Sequence, residues 1–243
     1  MPAFQKTRTA QDTVNSVLGS LGLPQATSVF DSIDGNVIQL RTLLTECGEE
    51  LLTEHKWQFF EREMNFFTVP DTVRYALPAD FDSFVSDAQW NYTSRLPLLG
   101  SVNEQDWQQL KARNLGSMTI TLMFRVSEGW LELYAAPSAS QQLVLPYQGR
   151  GWVLGSDGLY SDNVSTNADM VLYDSRVMRT KLMLKWLTRK GFDTTAANRE
   201  FTDALAAAKS IDVPASSLSM VPGGMVPLLS VLNSPETGYG GAT

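Results

Sequence analysis

The chain has 243 residues, a length that suits one domain or one domain with a large insertion, and its 43% hydrophobic and 19% charged residues are typical of a globular protein. The formal net charge of −7 disfavours a protein that recognises nucleic acid through a basic surface. The single cysteine, Cys47, excludes an intramolecular disulfide, a cysteine-rich zinc site and a C-x-x-C redox pair. The first residues lack an apolar run of signal-peptide length and no stretch approaches a membrane-spanning helix, so we expect a soluble protein made in a cytoplasm.

Two helices are predicted in the first 60 residues. Thr9 is the expected N-cap of the first helix, and Gly22 is expected to end it. The second helix is predicted to begin at Asp31 or Ser32 and to run to about Lys56. Apolar residues recur in it at spacings of three and four, which predicts a narrow seam against other helices; these residues are Ile33, Val37, Leu40, Leu44, Cys47 and Leu51.

The middle third of the chain changes to a period of two, which is typical of strands with one buried face. The alternating runs cover 84–92, with Phe84, Trp90 and Tyr92 on one face, and 118–126. Glu128-Gly129 then predicts a hairpin turn. The remaining strand-like runs lie at 130–135, 141–147 and 151–154.

Helical periodicity is expected in three further places. A short helix over 103–113 places Trp107 and Leu110 inward. From Asp174 to Gly191, apolar residues cover most of the circumference, so this helix is expected to be buried on more than one side. A last helix is predicted over 196–209.

These elements predict an α+β protein in which a four-helix bundle is interrupted by an antiparallel β-rich insertion, either a small barrel or a sandwich. The helical part comprises residues 1–60 and 166–210, and the insertion comprises residues 61–165. Residues 211–243 are expected to form an extended tail.

The predicted helices differ in charge. Residues 31–64 carry eight acids and three bases, whereas residues 176–190 carry six bases and no acid. The two segments therefore offer complementary faces, and the sequence leaves open whether they pair within one subunit or between neighbours. The residues assigned to this subunit–subunit pairing are Lys181, Lys185, Arg189, Glu46 and Glu50.

Residues suited to catalysis are scarce. The only histidine, His55, lies eight residues after Cys47, about 12 Å away on a helix, which is too far for a catalytic pair. Two such ligands do not make a zinc site, so His55 is interpreted as a helix-end side chain beside Trp57. No nucleotide-binding loop or nucleophile motif is present. We expect no enzyme, cofactor or metal site.

Scattered carboxylates and tryptophans offer weaker alternatives. The aspartates fit turn chemistry, and although a glycosidase-like acid pair stays open, nothing selects one pair among them; they are Asp71, Asp80, Asp82, Asp87, Asp157, Asp162, Asp169 and Asp174. The tryptophans could stack on sugars or bases, but most fall at inward positions, which favours the core or a subunit interface; they are Trp57, Trp90, Trp107, Trp130, Trp152 and Trp186.

The segment after Lys209 combines prolines and glycines with large apolar residues and contains no Lys or Arg. Prolines prevent a continuous helix, and a solvated linker would not carry so many apolar side chains. We expect a neighbouring chain to hold it. The residues concerned are Leu218, Met220, Val221, Met225, Val226, Leu228, Leu229, Val231 and Leu232.

One ordered combination of motifs covers roughly residues 9–209. A short helix ending S-L-G-L-P precedes a long V-x-x-L-x-x-L-L helix that closes at H-K-W-Q-F. T-V-P-D-T-V-R-Y-A-L-P-A-D-F, W-N-Y-T-S-R-L-P-L-L-G-S-V-N-E-Q-D-W and, later, K-W-L-T-R-K-G-F-D follow. This combination resembles the head-to-tail adaptor proteins of short-tailed bacteriophages, also called connector, gatekeeper or tubular tail proteins.

The resemblance implies a homo-oligomeric ring, usually of twelve copies, in the neck of a virion and assembled in the host cytoplasm. A bundle of about four helices would build the ring, a β-rich insertion would face the tail nozzle or tail tube, and the nine apolar tail residues would dock on the portal protein. Double-stranded DNA would pass through without specific binding, and no membrane would be involved. The alternatives are a virion-associated enzyme that degrades cell walls, and a structural protein of a tail tube or baseplate.

Overall fold

Five helices and twelve strands are present in residues 7–113 and 121–212, the part of the chain that the computed structural model describes. The helices are α1 (Ala10–Ser20), α2 (Gly35–Glu54), α3 (Glu104–Arg113), α4 (Ser175–Lys190) and α5 (Thr195–Asp212). The strands are β1 (Arg8–Thr9), β2 (Glu61–Phe67), β3 (Arg74–Ala76), β4 (Phe81–Phe84), β5 (Trp90–Asn91), β6 (Leu96–Pro97), β7 (Phe124–Ser127), β8 (Trp130–Leu133), β9 (Gln142–Gly149), β10 (Val153–Leu154), β11 (Tyr160–Ser161) and β12 (Met170–Val171). The protein is therefore mixed α and β, as predicted.

Local capping chemistry sets the helix ends. The Thr9 hydroxyl accepts a hydrogen bond from Asp12 N at the start of α1, and the Asp174 carboxylate accepts from Arg176 N at the start of α4. Gly191 ends α4 in the left-handed conformation, with φ 76°. These boundaries are confirmed.

The predicted start of α2, Asp31 or Ser32, is wrong by two or three residues. Asp34 is its N-cap, and the Asp34 carboxylate accepts from Asn36 N at 2.8 Å. Ile33 therefore precedes the helix and is 96% exposed, although the sequence placed it on the buried seam. The remaining seam residues from Val37 to Leu51 are buried.

Helix α4 contacts α1, α2 and α5, so it is surrounded on several sides as its composition predicted. Its buried residues include Val177, Met178 and Leu182, which join the apolar faces of the neighbouring helices in one core. We call this the first core. Phe201 and Leu205 of α5 complete it.

A small four-stranded sheet, in the order β1-β12-β10-β11, belongs to the same core. Trp152, Val153 and Val171 are buried among the helix residues. The first core thus includes residues beyond position 150 that the sequence had grouped with the β-rich insertion.

The remaining strands form two antiparallel sheets with a second core of their own. One has the order β2-β9-β5-β6, with β4 also paired to β9, and the other has the order β3-β8-β7. Their shared apolar residues are Leu98, Phe124, Leu131, Leu133, Leu143 and Leu145. Within the described ranges these sheets form no closed barrel, so of the two predicted alternatives, barrel or sandwich, the barrel is wrong.

Two details of the predicted strands differ in outcome. The run at 84–92 is two strands, because Asp87 adopts a positive φ of 56° and breaks the ladder. The hairpin is confirmed, with Glu128 and Gly129 both at positive φ between β7 and β8. Residues 118–120 of the other predicted run lie outside the described ranges.

Helix α3 lies against the three-stranded sheet. Its Trp107 is buried, and the Trp107 ring lies 5.8 Å from the Tyr134 ring with the Arg125 guanidinium 4.7 Å from its centre. Leu110, also predicted to face inward, is only partly buried.

A close contact at Gly48 joins α2 to the segment before β10. The Trp152 indole lies where a side chain on Gly48 would stand, and the Tyr173 hydroxyl donates to Gly48 O at 3.0 Å. Because both aromatic residues are fully buried, neither can move aside without disturbing the first core.

We predict that Gly48→Ala lowers the free energy of unfolding by about 1–3 kcal/mol, since the added methyl group overpacks a rigid core and outweighs the gain in helix propensity. Gly35→Ala is the matched control, because nothing lies within 4 Å of a Cβ placed there in the same helix. Urea unfolding followed by circular dichroism measures both. Equal stability of the two variants would contradict the packing argument.

Candidate functional site

Three basic residues on α4 form a ladder of ion pairs with three glutamates on α2. Lys185 Nζ lies 2.6 Å from Glu50 Oε1 and 3.0 Å from Glu46 Oε2. Lys181 Nζ lies 3.1 Å from Glu50 Oε2 and 3.8 Å from Glu54 Oε2. Arg189 Nη2 completes the ladder at 3.3 Å from Glu46 Oε2. We call these six residues the charge ladder.

The charge ladder answers the question that the sequence left open about pairing. All five residues assigned to subunit contacts pair with one another inside one chain, where α2 and α4 pack together. Lysine stems at positions 181 and 185 are largely covered, so these pairs are less screened than fully exposed ones. A further role of the same residues between subunits stays a prediction.

The ladder shifts the pKa values of its members in opposite directions. The hydrogen bond from Lys185 lowers the pKa of Glu46 below its ordinary value of 4.5. Burial acts to raise the pKa of Glu50, but hydrogen bonds from Lys185 and Lys181 outweigh it, and this pKa is also lowered. Burial acts to lower the pKa of Lys185, but the two glutamates outweigh it and raise it.

His55 is at the end of α2, as predicted, with its ring edge-on to Trp57 at 4.8 Å. No sequence pattern predicted its other partner: His55 Nε2 lies 3.1 Å from Asp212 Oδ2 at the end of α5. The same oxygen accepts a hydrogen bond from Gln58 N at 3.0 Å. This contact fixes the last described residue of α5 beside the start of the β-rich part.

Cys47 is fully buried beneath the charge ladder. Burial raises the pKa of the Cys47 thiol to about 12. A protonated, inaccessible thiol is neither a nucleophile nor a metal ligand. Cys47 therefore acts as a small apolar core residue.

The aspartates serve turns, caps and ion pairs in different parts of the fold. Asp71 and Asp87 occupy turns with positive φ, and Asp157 accepts from Leu159 N at 3.0 Å. Asp162 is 4.0 Å from the Arg150 side chain, and Asp82 accepts from the Ser83 hydroxyl.

Asp169 is the most buried of these carboxylates. It accepts hydrogen bonds from the backbone and hydroxyl groups of Ser165 and Thr166. Burial acts to raise its pKa, but these hydrogen bonds outweigh burial and lower the pKa. Its role is to shape the loop that holds the start of α1, where Asp169 O accepts from Ala10 N.

Sequence patterns did not reveal the cluster around Arg62. Its guanidinium pairs with Asp80, donates to Gly151 O at 2.9 Å and lies 3.5 Å from the centre of the Tyr160 ring. Tyr147 donates a hydrogen bond to the same aspartate. The cluster joins β2 and β9 to the paired strands β10 and β11 of the four-stranded sheet. A lone arginine in an alternating strand carries no sequence signal of such a role.

The tryptophans divide into two groups. Trp57, Trp107, Trp152 and Trp186 are buried, as the sequence favoured. Trp90 is 43% exposed, which corrects its predicted inward position, and Trp130 is exposed to the same extent.

Other chemical sites can be stated only for the described residues. In residues 7–113 and 121–212, no group of three or more His, Cys, Asp or Glu side chains is placed to hold a metal ion. Across the same ranges, no helix combines the length and apolarity needed to cross a membrane. The nine apolar residues between Leu218 and Leu232 lie outside these ranges. The first two residues of the predicted tail, Ile211 and Asp212, belong to α5.

No protein-family model matches the chain, and no curated protein matches it either. The resemblance to phage head-to-tail adaptors therefore rests on the motifs in the sequence and stays a prediction.

We expect reversal of both lysines, Lys181→Glu with Lys185→Glu, to lower the free energy of unfolding by about 2–4 kcal/mol, because five carboxylates would then face one another across α2 and α4. The control is Lys56→Glu with Lys111→Glu, which makes the same change of charge at exposed positions without ion pairs in the described residues. Adding Glu46→Lys and Glu50→Lys to the reversed protein should recover part of the loss. Failure of this exchange to restore stability would contradict pairing within the chain.

The ladder also predicts acid sensitivity. The folded-state pKa values of Glu46 and Glu50 are depressed, so their contribution to stability is present above pH 4.5 and is lost as the pH falls through the folded-state values. The raised pKa of Lys185 keeps its contribution until the pH rises above 10.5. Unfolding free energies measured between about pH 6 and pH 3 should fall more steeply for the natural protein than for Glu46→Gln with Glu50→Gln. Parallel curves would show that these carboxylates do not contribute.

Proposed function

We propose that the protein is a structural adaptor of a phage neck. It forms a ring, of twelve copies in the resembling proteins, between the portal and the tail, extends the DNA channel and offers a platform for the tail nozzle or tail tube. The proposal gives it no catalytic role.

The observation that carries the proposal is the discontinuous helical part. Helices α1 and α2 come from the start of the chain and α4 and α5 from its end, yet they share the first core. Between them, β2 to β9 have a second core of their own. We propose that the four helices are the bundle of the resembling adaptors and that the strands of the second core are their tail-facing insertion.

The internal chemistry of the subunit agrees with a scaffold role. Cys47 is buried and protonated, and His55 is occupied by Asp212. The described aspartates serve turns, caps and ion pairs rather than converging in a cleft. These observations weigh against the cell-wall enzyme, which needs an accessible acid pair.

The tail after Asp212 is proposed to dock on the portal through its apolar residues. Its lack of basic residues and its prolines suit an extended segment that adds main-chain hydrogen bonds to a partner while side chains fill pockets. The acidic protein as a whole suits a channel through which DNA passes without tight binding.

Truncation after Asp212 tests this proposal. The cut keeps the contact of Asp212 with His55 and Gln58, so residues 7–212 should retain their circular dichroism spectrum and melting temperature. Mass photometry with the portal protein of the same phage should show a ring complex for the full chain and none for the truncated chain. A control chain with Leu218, Val221 and Leu229 replaced by Ser should also fail to dock.

Three results would count against parts of the proposal. Unchanged docking of the truncated chain would contradict the role of the tail. Release of soluble fragments from cell-wall material by a stable monomer would favour the enzyme. Polymerisation into tubes without portal would favour the tail-tube protein.

A further inference from the structure

The outer face of the five-stranded sheet carries two rows of side chains that point away from the second core. The register places Phe67 of β2 opposite Gln142 of β9, and Asn65 opposite Val144. Trp90 of β5 lies on the other side of Val144. Residues directly opposite in an antiparallel pair share a face, so these side chains lie together.

Tyr92 belongs to the same face, because it follows Trp90 by two residues and its N donates to Gln142 O at 2.9 Å. Phe67 and Tyr92 therefore flank Gln142 at two strand spacings, roughly 10 Å apart. Trp90 lies one row away, roughly 7 Å along the strand. We call Phe67, Trp90 and Tyr92, with the amides of Asn65 and Gln142, the aromatic face.

The three rings are exposed, in contrast to their neighbours on the opposite side of the sheet. Phe67 is 65%, Tyr92 56% and Trp90 43% exposed. Leu143 and Asn91, which point the other way from the adjacent positions of β9 and β5, are buried. The sheet thus leaves three aromatic side chains in solvent, although each could have been polar without affecting the core.

The polar groups of the face are amides. Gln142 Nε2 donates to Asn65 Oδ1 at 3.1 Å, which ties the amide between Phe67 and Tyr92 to the amide beside Phe67 on β2. Each amide has further donor and acceptor capacity for a ligand. The two rows that hold the rings contain no charged residue. The next row on this side of β2 carries the exposed Glu63, opposite Pro146, whose carboxylate disfavours an anionic ligand.

The exposed area is small for a protein partner. Aromatic side chains bury about 150–250 Å² each, so the exposed fractions amount to roughly 250–400 Å². A stable protein interface needs about 800 Å² on each side. The aromatic face alone therefore fits a ligand of a few rings better than a second copy of the chain.

We propose that the aromatic face binds a neutral glycan chain. The negative face of an aromatic ring attracts the weakly positive C–H groups on the flat side of a sugar, and planar amides hydrogen-bond to its hydroxyl groups. Phe67 on β2, Trp90 on β5 and Tyr92 directly after β5 bind successive sugar units, with the Gln142 amide between Phe67 and Tyr92. The proposal uses no residue of the charge ladder or of the docking tail, and it stands whether or not the protein is a neck adaptor.

The test uses the full chain and four neutral hexasaccharides as probes: maltohexaose, cellohexaose, laminarihexaose and chitohexaose. Titration followed by tryptophan fluorescence and calorimetry should give saturable binding to at least one of them below about 10 mM. Trp90→Ala and Tyr92→Ala should each weaken that binding about tenfold. Trp130→Ala is the matched control, because Trp130 is also 43% exposed but lies on the three-stranded sheet. It should bind like the natural protein.

Any of three results would overturn the proposal. The first is no saturable binding of any probe by a protein whose circular dichroism shows that it is folded. The second is binding that Trp130→Ala weakens as much as Trp90→Ala does. The third is self-association that Trp90→Ala abolishes while no probe binds, which would make the aromatic face a contact between protein chains.

Discussion

The packing of α4 against α2 is the constraint on which the rest of the structure depends. The two helices are separated by a long stretch of chain that forms other structure, so only tertiary contacts hold them together. Trp152 packs into the space left by Gly48, Tyr173 binds the Gly48 carbonyl oxygen, and the charge ladder closes the solvent side. Apolar contact gives this junction most of its stability, while the ion pairs fix the register of one helix on the other.

Register follows from the spacing of the charges. Lys181, Lys185 and Arg189 recur every four residues on α4, and the glutamates of α2 at 46, 50 and 54 recur at the same interval in the opposite direction. A shift of one helix by a turn would leave a charge without its partner at either end. After such a shift, a lysine with a covered stem would have an ammonium group with neither a carboxylate partner nor full hydration. The ladder therefore disfavours the shift more than exposed ion pairs would.

The insertion depends on this junction without sharing its core. The β-rich part begins after Phe60 and returns to the helices at Arg150, and Arg62 links the two through Asp80, Gly151 and Tyr160. The Arg62 guanidinium lies over an aromatic ring and also forms an ion pair, and both contacts are directional. They connect the two parts at a point where the apolar cores themselves are separate. The two parts therefore keep a fixed connection at this point while each buries its own apolar residues.

Residue patterns predicted the elements that local chemistry determines. The caps at Thr9, Asp174 and Gly191 and the turn at Glu128-Gly129 act over a few residues, so the sequence contains their full explanation. Complementary charge also predicted the partners in the ladder.

Prediction was wrong where a distant contact or a single backbone angle decided the outcome. The alternating pattern over 84–92 predicted one strand through Asp87, but a periodicity does not reveal the positive φ of that residue. Ile33 fitted the seam by spacing alone, whereas the hydrogen bond at Asp34 decides where the helix begins. The exposure of Trp90 follows from its register on β9, and His55 meets Asp212 across 157 residues, so neither could be read from neighbouring residues.

Ion pairs that are satisfied within the chain add little when chains assemble, because the desolvation and the Coulomb attraction are already present in the single subunit. A heterologous contact must then draw mainly on groups that the subunit leaves open. Ile33 and Phe192 are such groups, because both are largely exposed. They lie at the same end of the helix pair, since Lys190 Nζ is 3.3 Å from Asn36 Oδ1 and so places the start of α2 beside the end of α4. Apolar side chains at one end of the rigid helix pair would gain from burial without breaking the ladder that holds the pair. Stability within the subunit and association between subunits would thus rest on different residues, and substitutions could separate the two.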